Sequence, residues 1–422
     1  MSEPTSWGGV PVDELVEQFG TPLYVYDGAV ITDRFRGLRD RLHPDVEIYY
    51  SLKANPNISV CALLHSLGAR AEVSSLTELV TTQRAGVPAG QVMFLGPGKS
   101  RDELTTCLKD GVTLICESVT ELGLIDELAT GLGVVARVVL RVNPSFAVKG
   151  SGLTMGGKPR QFGIDEAILT EQPDLAGRHP AVRIIGFQSY LGTRFLAEDM
   201  IVENTRRILD LAERLATRLG VRLEVVDVGG GLGVAYFDGE RDLDPEVLTA
   251  RLNPVFAAFR DRNPDTRMVM ELGRYLVGHS GVYAVRVRYV KESMGELFAV
   301  TDGGTNHHMA AVGIGSFVKR NFPIRLLNRH SDAEPAKWNV TGPLCTPGDT
   351  IGKAVALPGD LRPGDVIGVE RSGAYGPTAS PVYFLSHGYP AEVLIHRNRP
   401  RLVRSRDDVQ SMLAAQILHD FQ

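Results

Sequence analysis

The sequence predicts an α/β protein that combines a (β/α)8 barrel with a second, mainly antiparallel β domain. Three observations lead to this prediction. The chain has 422 residues, short apolar runs alternate with amphipathic helical stretches from about residue 30 to 275, and strand runs with little helix follow. A chain of this length can form two domains, each with its own hydrophobic core.

The barrel prediction depends on eight apolar runs in residues 30–275. They read "VEIYYSL", "RAEV", "VMFLG", "VTLICE", "RVVLRVNP", "RIIGFQSY", "LEVVDVGGG" and "RMVMELG". Helical stretches such as "IVENTRRILDLAERLATRLG" separate them. This alternation is typical of a parallel sheet, and eight units fit a closed barrel better than an open sheet. After residue 275, runs such as "GVYAVRVRYVKES" and "DVIGVERSGAYG" are interrupted by Gly, Pro and Asp, which predicts an antiparallel sheet.

Composition argues against several classes of protein. No apolar run approaches the roughly 20 residues of a membrane span, so we expect a soluble, cytoplasmic protein. A formal net charge of -5 argues against nucleic acid as the main partner. No metal site is expected, because His307 and His308 are adjacent and the cysteines lack paired ligand spacing. The cysteines are Cys61, Cys107, Cys116 and Cys345.

Lys53 stands where an apolar strand ends, in "IYYSLKANPN". A lysine in such a place is usually a solvated charge. Half desolvated at the carboxyl end of a strand, it becomes a nucleophile able to form a Schiff base. Chemistry in a (β/α)8 barrel gathers at these strand ends, which makes their other residues candidates too. They are Glu72, Asn143, Tyr190, Gly192, Thr193, Gly229, Gly230, Gly231, Glu271, Gly273 and Arg274.

The glycine run "DVGGGLG" lacks the GxGxxG register of a dinucleotide loop, because Val234 stands where the last glycine belongs. Bare backbone N–H groups at the end of a late barrel strand fit a phosphate cradle better. Arg274 adds a charged donor for an anion. Glu271 ends an apolar run, where a carboxylate can hold a proton on a ring nitrogen. Lysine, phosphate cradle and carboxylate together indicate pyridoxal 5′-phosphate.

Ten ordered segments resemble one known family. They are "TPLYVYD", "YYSLKANPN", "EVSSLTEL", "LGPGK", "RVNP", "QFGI", "DVGGGLG", "ELGRYLV", "GPLCTPGD" and "GAYG". Over nearly its whole length the chain is similar to the alanine-racemase-like (fold type III) pyridoxal-phosphate decarboxylases of diaminopimelate, ornithine and arginine. The resemblance implies that the strand around "TPLYVYD" joins the C-terminal domain. We therefore expect a barrel at 30–275 and a β domain formed by 1–29 and 276–422.

The resemblance also implies roles for individual residues. Lys53 would carry the Schiff base and Glu271 would pair with the pyridine nitrogen. Cys345, in "GPLC", would return a proton to the substrate and would reach the active site from the partner subunit, which implies a homodimer. The cofactor phosphate would be held by Gly230, Gly231, Gly273, Arg274 and Tyr375.

Two departures from the family bear on specificity. Where relatives place a histidine on the cofactor ring, in a pattern like HxGS, this chain has "YLGT". Tyr190 would stack on the ring and Thr193 would bind phosphate. Where diaminopimelate enzymes place an acidic residue for the distal amine of the substrate, this chain has Thr346, so such substrates lose their anchor. Asp349 and His307 are further candidates for substrate contact.

Four basic residues in "VKRNFPIRLLNRH" form a possible docking surface: Lys319, Arg320, Arg325 and Arg329. The alternative is a solvated basic loop. With "NHHMA" and "CTP", the sequence looks like the branch of the family that acts on amino acids tethered to an acyl carrier protein. Carrier proteins are acidic, so a basic rim would orient docking.

The predicted activity is α-decarboxylation of an aspartyl or glutamyl group held as a thioester on an acyl carrier protein. A decarboxylase of a free diamino acid such as diaminopimelate stays open as an alternative. So does an amino-acid racemase, in which Tyr275 or Tyr283 would be the second base, although the Cys345 motif disfavours it. A non-catalytic regulator would be expected to have lost Lys53 or Cys345, and both are present.

Overall fold

The computed structural model describes residues 5–146, 153–312 and 320–421, with the backbone alone at Leu153, Thr154 and Val312. Its strands are Ser6–Trp7 (β1), Val10–Pro11 (β2), Leu23–Asp27 (β3), Val46–Ser51 (β4), Arg70–Val73 (β5), Val92–Phe94 (β6), Thr113–Cys116 (β7), Ala136–Asn143 (β8), Leu153–Thr154 (β9), Ile164–Asp165 (β10), Val182–Gln188 (β11), Gly192–Thr193 (β12), Val225–Gly230 (β13), Arg267–Leu272 (β14), Gly281–Ser293 (β15), Glu296–Thr301 (β16), Ile324–Leu326 (β17), Pro335–Thr341 (β18), Thr350–Pro358 (β19), Val366–Glu370 (β20), Ala391–His396 (β21) and Arg399–Arg404 (β22). Its α-helices are Val12–Phe19 (α1), Gly28–Arg39 (α2), Ile58–Ser66 (α3), Leu76–Arg84 (α4), Arg101–Asp110 (α5), Val119–Leu132 (α6), Glu166–Glu171 (α7), Glu198–Leu219 (α8), Pro245–Arg262 (α9), Arg274–Val277 (α10) and Val409–Leu413 (α11).

Eight parallel strands close into a barrel, in the order β4, β5, β6, β7, β8, β11, β13 and β14. The barrel closes where β14 pairs with β4, with Glu271 opposite Tyr49 and Leu272 opposite Tyr50. Such strands are covered on both faces, which explains their nearly continuous apolar sequences. The predicted fold class, a (β/α)8 barrel with a mainly antiparallel β domain, is confirmed.

Apolar side chains fill the inside of the barrel. One buried cluster takes a side chain from each of several strands: Tyr49, Met93, Leu95, Ile115, Val139, Ile185, Val225 and Val269. A packed interior of this kind is typical of (β/α)8 barrels, whose ligands bind at the rim formed by the carboxyl ends of the strands.

The helices between the strands begin and end at residues suited to those positions. Ser100 and Glu103 form a capping box at the start of α5, which ends at Gly111 in the left-handed conformation. The 22-residue α8 buries its apolar stripe and ends at Gly220, where φ is +61°. These local signals determine where the helices begin and end. They thereby limit the lengths of the loops that join each helix to the barrel strands on either side.

The chain divides into two compact units. The barrel unit comprises Thr32–Ala235 and Arg241–Leu276, and the β unit lies within Met1–Ile31, Tyr236–Glu240 and Val277–Gln422. Tyr236 belongs to the β unit because its ring stacks on Phe322, with centroids 4.3 Å apart. No helix in the described parts of the chain is long and apolar enough to span a membrane.

The main sheet of the β unit has the order β19-β18-β16-β15-β3-β21-β22. The N-terminal strand β3 lies between β15, to which it is antiparallel, and β21, to which it is parallel. Helix α1 covers this sheet by burying Leu15 and Val16 in one cluster with Val393 and Ile395. The N-terminal segment is therefore part of the core of the C-terminal sheet.

Candidate active site

Lys53 lies on a 3-10 turn, Leu52–Ala54, directly after β4. The turn cannot continue as helix because Pro56 follows, and Asn57 then caps α3 by accepting a hydrogen bond from the Ser59 amide at 3.0 Å. The Lys53 Nζ is 3.3 Å from Glu72 Oε2 and 5.5 Å from the centroid of the Tyr190 ring. Three predicted strand-end residues thus come together around one ammonium group.

Two more carboxyl groups are buried in the barrel unit beside this lysine. Gln188 Nε2 donates to Glu271 Oε1 at 3.3 Å. Burial raises the pKa of Glu271, and the nearby charge of Glu72 raises that pKa further. Burial also holds the pKa of Asp227 well above its usual range, with Glu271 as the next cause. A positive charge placed here would stabilise the ionised form of these carboxyls.

A buried oxygen near Glu271, Oε1 of Gln188, lacks a hydrogen-bond partner among the described residues. Asp227 is engaged: one of its oxygens accepts from the Gly229 amide at 2.8 Å, and a side-chain hydrogen bond links Asp227 to Glu271. Buried polar atoms are nearly always satisfied in native proteins, so Gln188 Oε1 indicates a place where a ligand or water completes the hydrogen bonding.

Glycines let the strand ends approach closely at the rim. At Gly231, φ is +87° and a Cβ would lie 2.2 Å from the Gly192 oxygen. At Gly273, a Cβ would lie 2.8 Å from the Cβ of Ala54, in the turn that carries Lys53. Only glycine fits both positions. The result is a rim of bare backbone next to the lysine, as a phosphate cradle requires.

The other predicted phosphate ligands have definite places. Thr193 ends β12, shortly after barrel strand β11, and Arg274 opens α10, just after β14. Gly230 ends β13, where a Cβ would lie 1.6 Å from a backbone oxygen of β14. Tyr375 belongs to the β unit and has a positive φ of 54°. A non-glycine residue in this conformation carries strain, which is often found at functional sites.

The donor set at the barrel rim fits pyridoxal 5′-phosphate. Lys53 would supply an amine for the aldehyde, Glu271 a buried carboxyl for the ring nitrogen, and Tyr190 an aromatic face beside the lysine. The unpartnered oxygen of Gln188 adds a polar group that a bound ring system can contact. We therefore find the residues and the cofactor chemically matched.

Sequence reasoning missed a buried ion pair in the barrel. Arg141 Nη1 lies 3.0 Å and 3.1 Å from the two carboxylate oxygens of Glu117, which also accepts from the Gly96 amide at 2.8 Å. The Arg141 guanidinium lies 4.6 Å from the centroid of the Phe162 ring. The available signal was a charged residue inside an apolar strand run, "RVVLRVNP". The same signal marks Asp227 in "LEVVDVGGG".

In the β unit, Asp349 joins the loop of Cys345 to a neighbouring loop. Its Oδ1 accepts from the amide of Thr305 at 2.7 Å and from the Thr305 hydroxyl at 3.0 Å. Its Oδ2 accepts from the Leu344 amide at 2.7 Å. Cys345 itself is exposed, and Thr346 next to it is half-buried. The contacts of Asp349 favour a positioning role over the direct substrate contact expected from the sequence.

His307 is buried within the β unit. Its Nε2 lies 2.9 Å from the Gly388 oxygen, to which it donates, and its Nδ1 accepts from the Tyr283 hydroxyl at 3.1 Å. Burial lowers the pKa of His307 to about 4, so the ring is neutral near pH 7. These contacts favour a structural role for His307 and leave the Tyr283 hydroxyl engaged.

The basic cluster predicted from "VKRNFPIRLLNRH" does not form an unbalanced positive surface. Arg320 pairs with Glu240 at 2.7 Å, Arg325 pairs with Glu370, and Arg329 lies 2.9 Å from Asp360 and 2.7 Å from Asp365. Lys319 lies outside the described residues. The acidic partners are 31 to 80 residues away in the sequence, so a local charge count misses them. Docking at these arginines stays a prediction.

Comparison with known proteins agrees with the geometry. Residues 29–278 match the family model of the pyridoxal-dependent decarboxylase, pyridoxal binding domain. The chain is 39% identical to an L-glutamyl-[BtrI acyl-carrier protein] decarboxylase of Niallia circulans, over 96% of each chain. It is 32% identical to the diaminopimelate decarboxylase of Pseudomonas aeruginosa, over 97% of this chain and 96% of that one.

A solved structure shares the whole architecture. The diaminopimelate decarboxylase of Helicobacter pylori complexed with L-lysine superposes with a TM-score of 0.86 at 28% identity, over 96% of this chain and 98% of that one. Both the sequence and the structural match thus cover both units. The chain belongs to the pyridoxal-dependent decarboxylase family, and pyridoxal 5′-phosphate is its cofactor.

Proposed function

We propose that this decarboxylase acts on an acidic amino acid, of glutamyl or aspartyl type, whose side-chain carboxyl is held as a thioester on an acyl carrier protein. The α-amino and α-carboxyl groups of such a substrate stay available for reaction. Loss of the α-carboxyl group as carbon dioxide, with a proton taking its place, leaves an ω-amino acyl thioester on the carrier.

The observation that carries this proposal is that the Cys345 loop offers no free negative charge to a distal ammonium group of the substrate. Thr346 is neutral where diaminopimelate decarboxylases are expected to present an acidic residue. Asp349, the other carboxylate candidate in this loop, already accepts three hydrogen bonds within the β unit. A distal ammonium group would therefore be desolvated without a partner, at a cost of several kcal/mol. A thioester has no such charge.

The relatives support the same choice of substrate. The relative at 39% identity is named for a carrier-bound glutamyl substrate, whereas a diaminopimelate decarboxylase is 32% identical. A racemase needs a second base, and the two tyrosine candidates are poorly suited. Burial raises the pKa of Tyr275 and holds that of Tyr283 well above its usual range.

Bound pyridoxal phosphate supplies an electron sink for the electron pair left at Cα when carbon dioxide departs. In the proposed mechanism Lys53 would hold the cofactor through its amine. Glu271 would keep a proton on the ring nitrogen, and Tyr190 would offer an aromatic surface beside the lysine. Cys345 Sγ donates a proton to Cα, and Asp349 keeps its loop in place. In a homodimer, which we also propose, Cys345 serves the partner's barrel.

A substrate panel tests the proposal. Purified holoenzyme is given L-glutamyl and L-aspartyl thioesters on the BtrI acyl carrier protein, and the free amino acids glutamate, diaminopimelate, lysine, ornithine and arginine. Mass spectrometry follows the loss of carbon dioxide. We expect a kcat/KM on a carrier-bound substrate at least about 100-fold above that on any free amino acid, since charge mismatches of several kcal/mol give such ratios. Equal or better turnover of a free diamino acid would overturn the proposal.

A further inference from the structure

A different basic surface lies at the edge of the main sheet in the β unit. We call it the arginine hairpin: β21, the turn at Arg397 and Asn398, and β22, together residues 391–404. Residues 397–406 contain five arginines and no acidic residue, in a chain whose formal net charge is -5. Strand β22 is the last strand of the sheet order.

Three of these arginines have no acidic partner in the part of the chain that the structure describes. Arg397, Arg399 and Arg401 are exposed, and no ion pair joins them to any described residue. Arg404 differs, because it lies 2.7 Å from the buried carboxylate of Glu392. Many arginines of the barrel helices are paired instead, as Arg207 is with Glu203 and Arg262 with Glu213. The hairpin therefore concentrates unbalanced positive charge within five residues.

The hairpin holds these charges in a defined geometry. Arg397 and Asn398 have φ values of 52° and 57°, which is the pattern of a two-residue type I′ turn. His396 pairs with Arg399 and Leu394 with Arg401, which places Arg399 and Arg401 on the same face of the hairpin. Asn398 packs against Gly9: a Cβ added at Gly9 would lie 3.1 Å from the Asn398 Oδ1. The strand pair that carries the charges is therefore held at its turn by contact with the N-terminal segment.

Leu402 is 49% exposed and pairs with Val393, so it lies on the opposite face of the hairpin from Arg399 and Arg401. The surface that these arginines form is therefore defined by its charge.

We propose that the arginine hairpin is the docking surface for the acidic acyl carrier protein. This inference rests on the proposed function. It assigns recognition of the carrier to the arginine hairpin, since Arg320, Arg325 and Arg329 are neutralised by ion pairs. Complementary charge raises the association rate and orients the carrier, with little effect on the chemical step. The hairpin should therefore lower the KM for carrier-bound substrate, and added salt should weaken this effect by screening the charges.

The test is a charge-reversed holoenzyme, Arg397→Glu, Arg399→Glu and Arg401→Glu. The matched control reverses three exposed charges elsewhere, Arg84→Glu, Arg288→Glu and Lys291→Glu, so that both variants change net charge equally. A charged edge also prevents strands from associating, and glutamate preserves that function. An Arg→Lys version of the hairpin tests for rescue, and circular dichroism confirms that each variant folds.

At low salt we expect kcat/KM for the L-glutamyl-loaded BtrI acyl carrier protein to fall about tenfold or more in the hairpin variant, with kcat unchanged. The control variant should stay within about twofold of wild type, and the lysine version should recover most of the loss. Turnover of a carrier-free glutamyl thioester of pantetheine should be the same in all variants. Raising the salt concentration should narrow the gap between wild type and the hairpin variant.

The outcomes separate the two proposals. If wild type turns over the carrier-bound substrate and hairpin reversal changes nothing beyond the control, the docking inference fails while the proposed function stands. If wild type neither binds nor turns over the loaded carrier, both fail. Loss of binding to a DNA duplex on reversal, with unchanged carrier turnover, would reassign the hairpin to nucleic acid and overturn the inference.

Discussion

The Lys53 Nζ lies 3.3 Å from Oε2 of Glu72, and the two side chains differ sharply in exposure. The glutamate side chain is 1% exposed, whereas the lysine side chain is 37% exposed. A fixed, buried carboxylate thus holds the end of a flexible and accessible lysine at one place on the barrel rim. An amine that is both oriented and accessible suits covalent attachment of a cofactor.

The first prediction concerns this lysine. Purified protein should show the visible absorption of bound pyridoxal phosphate, and borohydride should fix the cofactor on the peptide that contains Lys53. Lys53→Ala should lose the band and the activity. The control variant, Lys109→Ala, changes an exposed lysine of α5 and should keep both. A label on any other lysine, found by peptide mass spectrometry, would contradict the assignment.

The second prediction uses the differing burial of the cysteines. Burial raises the pKa of Cys61 and of Cys107 to about 12 and also raises that of Cys116, whereas Cys345 is exposed. Iodoacetamide near pH 8 should therefore label Cys345 selectively and remove activity. Cys345→Ala should keep the cofactor band but lower kcat by about 10²- to 10⁴-fold, the usual contribution of a general acid.

The control for this experiment is Cys61→Ala, which should retain most of the activity because Cys61 is a buried residue of α3. Wild-type kcat in Cys345→Ala, measured as carbon dioxide release, would show that another group returns the proton.

The third prediction tests the shared active site of the proposed homodimer. Lys53→Ala is expected to be inactive, and Cys345→Ala is expected to keep only the small residual activity given in the second prediction. When the two are mixed and allowed to exchange subunits, half of the dimers should be mixed and should contain one intact site. About a quarter of wild-type activity should therefore return. Mixing Lys53→Ala with Glu271→Gln should restore none, since both changes lie in the barrel unit. No recovery in the first mixture would indicate self-sufficient subunits.

The sequence could predict the barrel and its rim because both follow from local signals. Alternating runs mark strands and helices, and Lys53 and Glu271 each stand at the end of an apolar run. It could not predict how side chains far apart in the chain meet. Asp227 lies beside Glu271, and Arg325 pairs with Glu370, 45 residues away. Such contacts depend on strand order and on the course of loops, which no local pattern contains.

The burial of His307 likewise could not be predicted from the sequence. "NHHMA" looks like a polar loop, yet His307 is only 4% exposed. Its burial is tolerated because Tyr283 and the oxygen of Gly388 satisfy its two ring nitrogens. Both partners are distant along the chain. The fourth prediction follows from this burial.

His307 should make stability depend on pH. Its folded pKa of about 4 lies below the usual 6.5, so the stability that it contributes is fully present above pH 6.5 and is lost as pH falls toward 4. The loss can reach roughly 3 kcal/mol. In His307→Asn, the free energy of unfolding in urea should fall less steeply between pH 7 and pH 4.5. His330→Asn changes an exposed histidine and should leave the slope unaltered. Equal slopes in all three proteins would contradict this prediction.

The last prediction addresses substrate choice through Thr346. Its hydroxyl oxygen accepts a hydrogen bond from the Gly348 amide at 3.4 Å, which ties the side chain to its own turn. Thr346→Asp would place a carboxylate beside Cys345, where it could pair with a distal ammonium group that the wild-type loop leaves uncompensated.

In Thr346→Asp, kcat/KM for free diaminopimelate or lysine should rise about tenfold or more, because a charge pair worth over 1.4 kcal/mol changes an equilibrium constant by that factor. Activity on the carrier-bound glutamyl substrate should fall, since a neutral thioester would then face an unpaired carboxylate. Thr346→Val has a similar shape without the charge and should show no gain on diamino acids. If Thr346→Asp and Thr346→Val keep the same substrate ratio in a competition assay read by mass spectrometry, the distal group is recognised elsewhere, and the argument from the charge of this loop fails.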